Sequence, residues 1–429
     1  MRVRLALALA LTFGLAARAA GAQESLLEGR RAAVRAAPSD AGLSLQYGVA
    51  LRRAGRDAEA AQELRRGAAL PSGGQGDAGI MLRFELARTA IDRRDFQGAM
   101  AVCRGAGSVT GGGAAGHACM AEAQLLWRLA SEALPETALA LANGTKSYEA
   151  KVVEGLSYEL QVKDADAEAS FRAAIAWRPD LSYAHVDLGR LLVRLQRNDE
   201  GVAELRRAVE VDPNGPEPAY ELARALPTGT EAATLLEKAV HERPSYAFAL
   251  QRLAEVDLEL GRIAPARQAA DAVLKVSPSE PSGYIVSGRV ALAEGKPDDA
   301  LKLGQRALGL LTNSARAKLL VADAYAAKGE IDLAVEAYQA AYGLDPSDPT
   351  AVVHASTACH AQGRDTSARA FGERATHDFP QWGPGWAALG DALAAQGETA
   401  RARTAYETAL KSSGPVDAAA VRAKLAALR

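Results

Sequence analysis

Residues 148–179 read YEAKVVEGLSYELQVKDADAEASFRAAIAWRP, and residues 182–213, 34 positions further on, read SYAHVDLGRLLVRLQRNDEGVAELRRAVEVDP. Laid over one another, they align Gly155 with Gly189, Ala167 with Gly201, Ala174 with Ala208 and Pro179 with Pro213. The first column of small residues continues through Ala223, Ala254, Gly288, Ala322, Ser356 and Gly390, with every interval 34 except 31 between Ala223 and Ala254. A second column, 12 residues on, runs Ala167, Gly201, Ala232, Ala266, Ala300, Ala334, Ala368 and Ala402, shortened only at Pro227-Thr228-Gly229. A third runs from Ala174 to Ala409, and a breaker follows at Pro179, Pro213, Pro244, Pro278, Thr312, Pro346, Pro380 and Gly414. A fixed period of this length is the signature of a repeat architecture.

The period predicts a helical hairpin repeated eight times over residues 147–414. Small residues let two helices approach closely, larger ones such as Phe171, Leu188, Tyr338 and Tyr406 fill the space beside them, and proline ends the second helix. Turn residues stand between the helices at Gln196-Arg197-Asn198-Asp199, Leu260-Gly261-Arg262 and Lys328-Gly329-Glu330. One hairpin cannot bury its apolar side alone, so neighbours must stack into an all-α solenoid. Upstream, residues 23–146 carry a degraded form of the pattern, visible at Tyr47-Gly48, Leu51, Ala60 and Leu64 and again at Leu86-Ala87, Ala90 and Ala99. Beyond the Gly-rich stretch 105–116, helices are expected over roughly 117–134 and 135–142, and residues 415–429 supply a C-terminal capping helix.

These residues resemble the tetratricopeptide repeat, whose pattern is W-x2-L-G-x2-Y, then A-x3-F, then A and P. Trp386, Leu389, Gly390, Ala402, Tyr406 and Ala409 match one copy; Gly155, Tyr158, Ala167, Phe171, Ala174 and Pro179 match another; Tyr325, Ala334, Tyr338, Ala341 and Pro346 match a third. Departures are Glu154 and Asp257 at apolar places, and Gly304 and Gly372 at the second aromatic place. The resemblance implies a right-handed superhelix of antiparallel helix pairs with a groove lined by the first helix of each pair. It places Arg190, Arg224 and Arg289 in that groove as a basic strip, beside an apolar column containing Val186, Tyr220, Ile285 and Leu319. That column either holds a bound peptide or helix, or packs neighbouring first helices. The lysine and asparagine with which chaperone-binding members hold a C-terminal carboxylate are missing from these columns.

Charge and chemistry narrow the function classes. Fifty basic against 52 acidic residues give a net charge of −2, which offers nucleic acid or an anionic membrane no overall attraction. The motifs G-x-S-x-G, H-E-x-x-H, G-x-x-x-x-G-K and paired C-x-x-C are absent, and the repeats occupy nearly all of the chain, so neither enzyme nor cofactor is expected. His354, Cys359 and His360 are not spaced to gather on one helical face, so a metal site is not expected. Asn143-Gly144-Thr145 fits a glycosylation sequon and an interhelix turn equally.

The front of the chain reads as an export signal. Arg2 and Arg4 precede an apolar run from Leu5, too short to be a membrane span, and Ala20-Gly21-Ala22 presents small residues for cleavage between Ala22 and Gln23. Loss of residues 1–22 removes Arg2, Arg4 and Arg18 and no acid, moving the net charge from −2 to −5. In an oxidising compartment Cys103 and Cys119 either form a disulfide or remain buried thiols. The whole predicts a periplasmic or secreted scaffold that binds a protein partner in cell-envelope assembly, with a polysaccharide-export role through groove aromatics Tyr183, Tyr220, Phe248 and Tyr284 as the alternative.

Overall fold

The computed structural model of the chain describes residues 24–71, 76–92, 95–107, 113–126, 130–142 and 147–428. The expected export signal with its expected cleavage between Ala22 and Gln23, and Asn143-Gly144-Thr145, lie outside the described residues. Helices carry the fold, and no strand is present among the described residues.

The chain divides into two units, Met1–Arg252 and Leu253–Arg429. In the first, α1 spans residues 24–36. Six hairpins follow, α2 (Ala41–Arg53) with α3 (Asp57–Ala69), α4 (Gly76–Asp92) with α5 (Phe96–Gly107), and α6 (Gly113–Leu126) with α7 (Ala130–Ala140). They continue as α8 (Tyr148–Leu160) with α9 (Asp164–Trp177), α10 (Ser182–Arg194) with α11 (Asn198–Val211), and α12 (Pro216–Ala225) with α13 (Thr230–Glu242). The division falls inside α14 (Ala247–Glu259), which precedes α15 (Ile263–Val276). The second unit pairs α16 (Pro281–Ala293) with α17 (Pro297–Leu310), α18 (Ala315–Ala327) with α19 (Ile331–Leu344), and α20 (Thr350–Ala361) with α21 (Asp365–Asp378). It closes with α22 (Gly383–Ala395), α23 (Thr399–Ala409) and the capping helix α24 (Ala418–Ala427). Within each unit the second helix of one hairpin packs on the first helix of the next, and adjoining first helices also touch from α2 to α12 and from α16 to α22.

The first small column is where paired helices touch. A Cβ placed on Gly48 would lie 2.5 Å from Leu64, on Gly155 2.5 Å from Phe171, on Gly189 2.6 Å from Leu205, and on Gly390 2.5 Å from Tyr406. In each case the large residue is 16 positions on, in the second helix of the same hairpin. Gly304 breaks this rule and shows why the array tolerates it: with no side chain there, Leu320 of the next hairpin reaches back to cover Gly288. At Gly372 the backbone of Leu389 itself comes to 2.9 Å of the Cβ position. Gly189 is doubly constrained, since the Gly201 carbonyl lies 2.9 Å from its Cβ position. Gly189→Leu is therefore expected to overpack α10 against α11 and cost about 3 kcal/mol. A urea midpoint equal to that of the parent protein would refute this contact.

Buried polar departures find partners nearby. Asp257, 1% exposed, meets the Arg262 guanidinium at 3.0 Å across the following turn. Glu154 accepts from Ser170 Oγ at 2.8 Å and pairs with Lys151 at 2.5 Å. Hairpin neighbours are also joined from a second helix to the turn of the adjoining hairpin, by Arg197 to Glu168 at 2.9 Å, Arg267 to Glu294 at 2.6 Å and Arg369 to Glu398 at 2.5 Å. Half-exposed pairs of this kind each contribute little, and their value here is register between neighbours.

The degraded region differs from the expected helix limits. Helix α6 begins at Gly113, and Pro135 sits inside α7 rather than at a helix start. One lost backbone hydrogen bond is outweighed by the buried row Ala133, Thr137 and Ala140, which requires a continuous helix.

Turns inside the hairpins adopt the left-handed conformation that closes a helix. Glycine takes that place at Gly55, Gly261, Gly295, Gly329, Gly363 and Gly397, but Val162 takes it at φ 59°. A β-branched residue is strained there, and Val162 is 75% exposed, so its side chain returns little packing. Val162→Gly is expected to stabilise the protein by about 1 kcal/mol, read as a raised melting temperature.

Candidate partner-binding face

The first helices of each unit share one face, and side-chain contacts show which way it turns. In the first unit Arg53, at the end of α2, meets Asp212 at 3.3 Å, and Arg88 of α4 lies 5.3 Å from the ring centre of Tyr183 on α10. Asp212 caps α11, a second helix, but the contact between Arg88 and Tyr183 joins first helices several repeats apart and turns that face inward in this unit. Glu85 anchors this arrangement, 6% exposed and paired with Arg52 and Arg88 at 3.1 Å each. Burial works against its charge, but the two guanidinium groups outweigh it and hold the carboxyl below its usual range.

Arg190 and Arg224 occupy the expected register on α10 and α12, but their charges are met within the chain. Arg190 lies 3.6 Å from both Glu159 and Asp187, and Arg224 lies 3.2 Å from Glu221. Burial pushes the Glu221 carboxyl up, against the pull of Arg224 and Arg190. Val186 is 7% exposed in a cluster with Leu205, Ala208 and Leu222, so it packs helices instead of lining an open surface. Tyr220 stands against Tyr246 with ring centres 5.2 Å apart.

In the second unit Glu255 of α14 reaches Arg316 of α18 at 2.9 Å, passing over α16, so the first-helix face is again the inner one. Ile285 is 5% exposed and packed with Ala307 and Ala317, while Leu319 is half-buried against the cluster around Ala322 and Tyr338. For these members of the apolar column the structure favours helix packing. Arg289 is half-buried on α16 and forms no ion pair among the described residues. Asp323 and Asp391, 68 positions apart, are held alike: Tyr338 and Tyr406 donate to them at 2.7 Å each, and His354 and Lys424 approach at 2.8 Å each. Arg316 and the role of His354 were not evident from sequence; the recurrence of Asp323 and Tyr338 as Asp391 and Tyr406 signals the tyrosine–aspartate pair alone.

His354, Cys359 and His360 do not converge. The two imidazoles are bonded through Nδ1 to different carboxylates, Asp323 and Asp365, and Cys359 is buried. Among the described residues no cluster of three metal-binding side chains is present, and no helix is long and apolar enough to cross a membrane. Cys103 of α5 and Cys119 of α6 are joined as a disulfide, with Cα atoms 5.3 Å apart.

No curated protein matches the chain. Among solved structures, that of yeast Tom70 is similar at 13% identity, with 90% of this chain and 95% of that chain covered and a TM-score of 0.48. A tetratricopeptide repeat protein from Parabacteroides merdae is similar at 16% identity, with 65% and 97% covered and a TM-score of 0.43. The family model for the tetratricopeptide repeat matches residues 186–247, 252–315, 319–381 and 387–429, more than half of the chain. With the small-residue columns now seen as helix contacts and the hairpins stacked in sequence, the chain belongs to the tetratricopeptide repeat family, whose repeats typically bind protein partners and are generally non-enzymatic scaffolds.

Proposed function

We propose that the protein is an exported, non-enzymatic scaffold that holds a protein partner of the cell envelope on the inner face of its first helices. The observation that carries this reading is the residue distribution on the first-helix face of each unit taken by itself: Arg224 and Phe248 in the first, and Arg316 and Thr357 in the second, remain exposed while apolar residues of the same helices are used in packing. Export is supported by Arg2, Arg4 and the apolar run after them, and by a Cys103–Cys119 disulfide, which suits an oxidising compartment. A glycan-binding role needs several open ring faces, whereas of its four aromatics Tyr183, Tyr220 and Tyr284 already lie against Arg88, Tyr246 and Arg306 respectively, which leaves Phe248, 67% exposed.

Two experiments test the reading. An intact mass of protein recovered from the envelope should begin at Gln23; a mass that retains Met1 to Ala22 contradicts export by this signal. Arg224→Glu combined with Arg289→Glu should lose partners recovered by the parent protein at low salt, because charges at the edge of an interface tune association and specificity. Retention of every partner by the double variant contradicts the inner-face reading in this form.

A further inference from the structure

In the first unit two stretches far apart in sequence meet at their edges. Arg53, in the last turn of α2, pairs with Asp212 at 3.3 Å across 159 positions, and the two side chains stay 40% and 27% exposed. Two residues on, Gly55 in the α2–α3 turn faces Ser245 in the loop after α13, so closely that a Cβ at Gly55 would run into the serine Oγ. The corresponding turn glycines Gly261, Gly295, Gly329, Gly363 and Gly397 have nothing within 4 Å of that position among the described residues. The first turn of the array is docked where its counterparts stand open.

This junction is not built like the contacts that hold the hairpins together. Leu27, Tyr47 and Leu51 are buried on one side of it and Val186, Leu205 and Leu222 on the other, in separate clusters. Among the described residues neither α2 nor α3 packs along α11, α12 or α13. A cavity of about 140 Å³ separates Leu27, Arg30, Val49 and Arg53 from Asn214 and Glu242, a gap that a packed interior does not leave, so the two sides abut without interlocking. A half-exposed ion pair contributes little and is screened by salt, while joining distant edges costs chain freedom. Inside the same turn Arg88 of α4 lies 5.3 Å from the Tyr183 ring centre on α10, so first helices from opposite sides already touch. A partner segment that enters between them has to part them.

Resting on the reading of the first-helix face as the partner surface, we propose that the α2–α3 turn is an autoinhibitory latch. Docked through Arg53 on Asp212 and through Gly55 on Ser245, it holds the first unit closed over its own first-helix face, and a partner segment reaches that face when the latch lets go. A partner that binds the open form alone draws the population toward it, and whatever weakens the latch must strengthen partner binding through the same coupling. The polar, half-exposed make-up of the junction suits this role, because it leaves the closed form favoured by a margin that salt or one charge reversal can overturn.

The test uses the full chain with spin labels on Gln62→Cys of α3 and His241→Cys of α13, both exposed positions on opposite sides of the junction. Cys359 is buried and Cys103 and Cys119 are bonded, so the introduced thiols take the label. Pulsed electron paramagnetic resonance should give one short distance at low salt and a second, longer population at high salt or in Arg53→Glu. Arg53→Glu combined with Asp212→Arg should restore the short distance, because the pair is rebuilt with its charges exchanged. In a second arm, Arg224→Cys on the first-helix face is modified with N-ethylmaleimide and with a polyethylene-glycol maleimide. Arg53→Glu should speed the bulky reagent about fivefold or more relative to the small one, and the exchanged pair should return it to the parent rate. A distance indifferent to salt and to charge reversal, or a bulky-reagent rate unchanged by Arg53→Glu, would overturn the latch. Both arms read the chain without a partner, so they decide the latch separately from whether Phe248 or Thr357 crosslinks to one.

Discussion

Phe171→Ala is expected to destabilise the protein by about 4 kcal/mol, a larger loss than that from Gly189→Leu. The Phe171 ring is fully buried and lies directly over Gly155, where it occupies the space that the glycine leaves open. It shares a cluster with Val152, Leu188, Leu191 and Leu192, so it joins its own hairpin to the next one. Alanine at this position leaves a cavity that rigid helices on both sides cannot close. Since repeats contact chiefly their neighbours, the loss should be local: amide exchange should rise in α8 to α10 and stay unchanged in α20 to α23. Uniform loss of protection along the chain would contradict a nearest-neighbour array.

The second large effect concerns Cys103 and Cys119. Their cluster is built mostly from small residues, Ala87, Ala99, Ala118, Ala140 and Ala150 around Phe84, and each alanine buries little apolar area. A cross-link closing 16 residues limits the unfolded chain and is expected to contribute about 3 kcal/mol. Cys103→Ala with Cys119→Ala should therefore lower the urea midpoint of the first unit, and reductant should have the same effect on the parent protein but none on the double variant. An unchanged midpoint, together with alkylation of both thiols in the unreduced unfolded chain, would contradict the staple.

Most of the fold was legible in the sequence because the helix contacts use residues at a constant spacing. Gly155, Gly189 and Gly390 and the large residues 16 positions on announce the packing without reference to neighbours. What stayed hidden depends on relations between repeats. Leu320 replaces the missing side chain of Gly304 from the following hairpin, and nothing within one repeat signals that exchange. Pro135 looked like a boundary because local propensity favours one, while burial of Ala133, Thr137 and Ala140 decided otherwise. The basic strip was read from register alone. Glu159, which lies 31 residues before Arg190 on a neighbouring helix, meets that arginine in space, so the face carries less free positive charge than its arginines suggest. The contact of Arg88 with Tyr183 is further from sequence still, since it requires the rotations of several hairpins to accumulate.

Whether partners dock on the inner face or on the outer one is open to direct measurement. Photo-crosslinking side chains placed singly at Phe248 and Thr357 on first helices, and at Lys302 and Leu333 on second helices, compare the two faces in intact cells. All four positions are exposed, so accessibility does not favour either set. Docking on the inner face should yield a discrete crosslinked protein from Phe248 and Thr357 and none from Lys302 or Leu333. A partner captured from Lys302 or Leu333, with Phe248 and Thr357 silent, would contradict it.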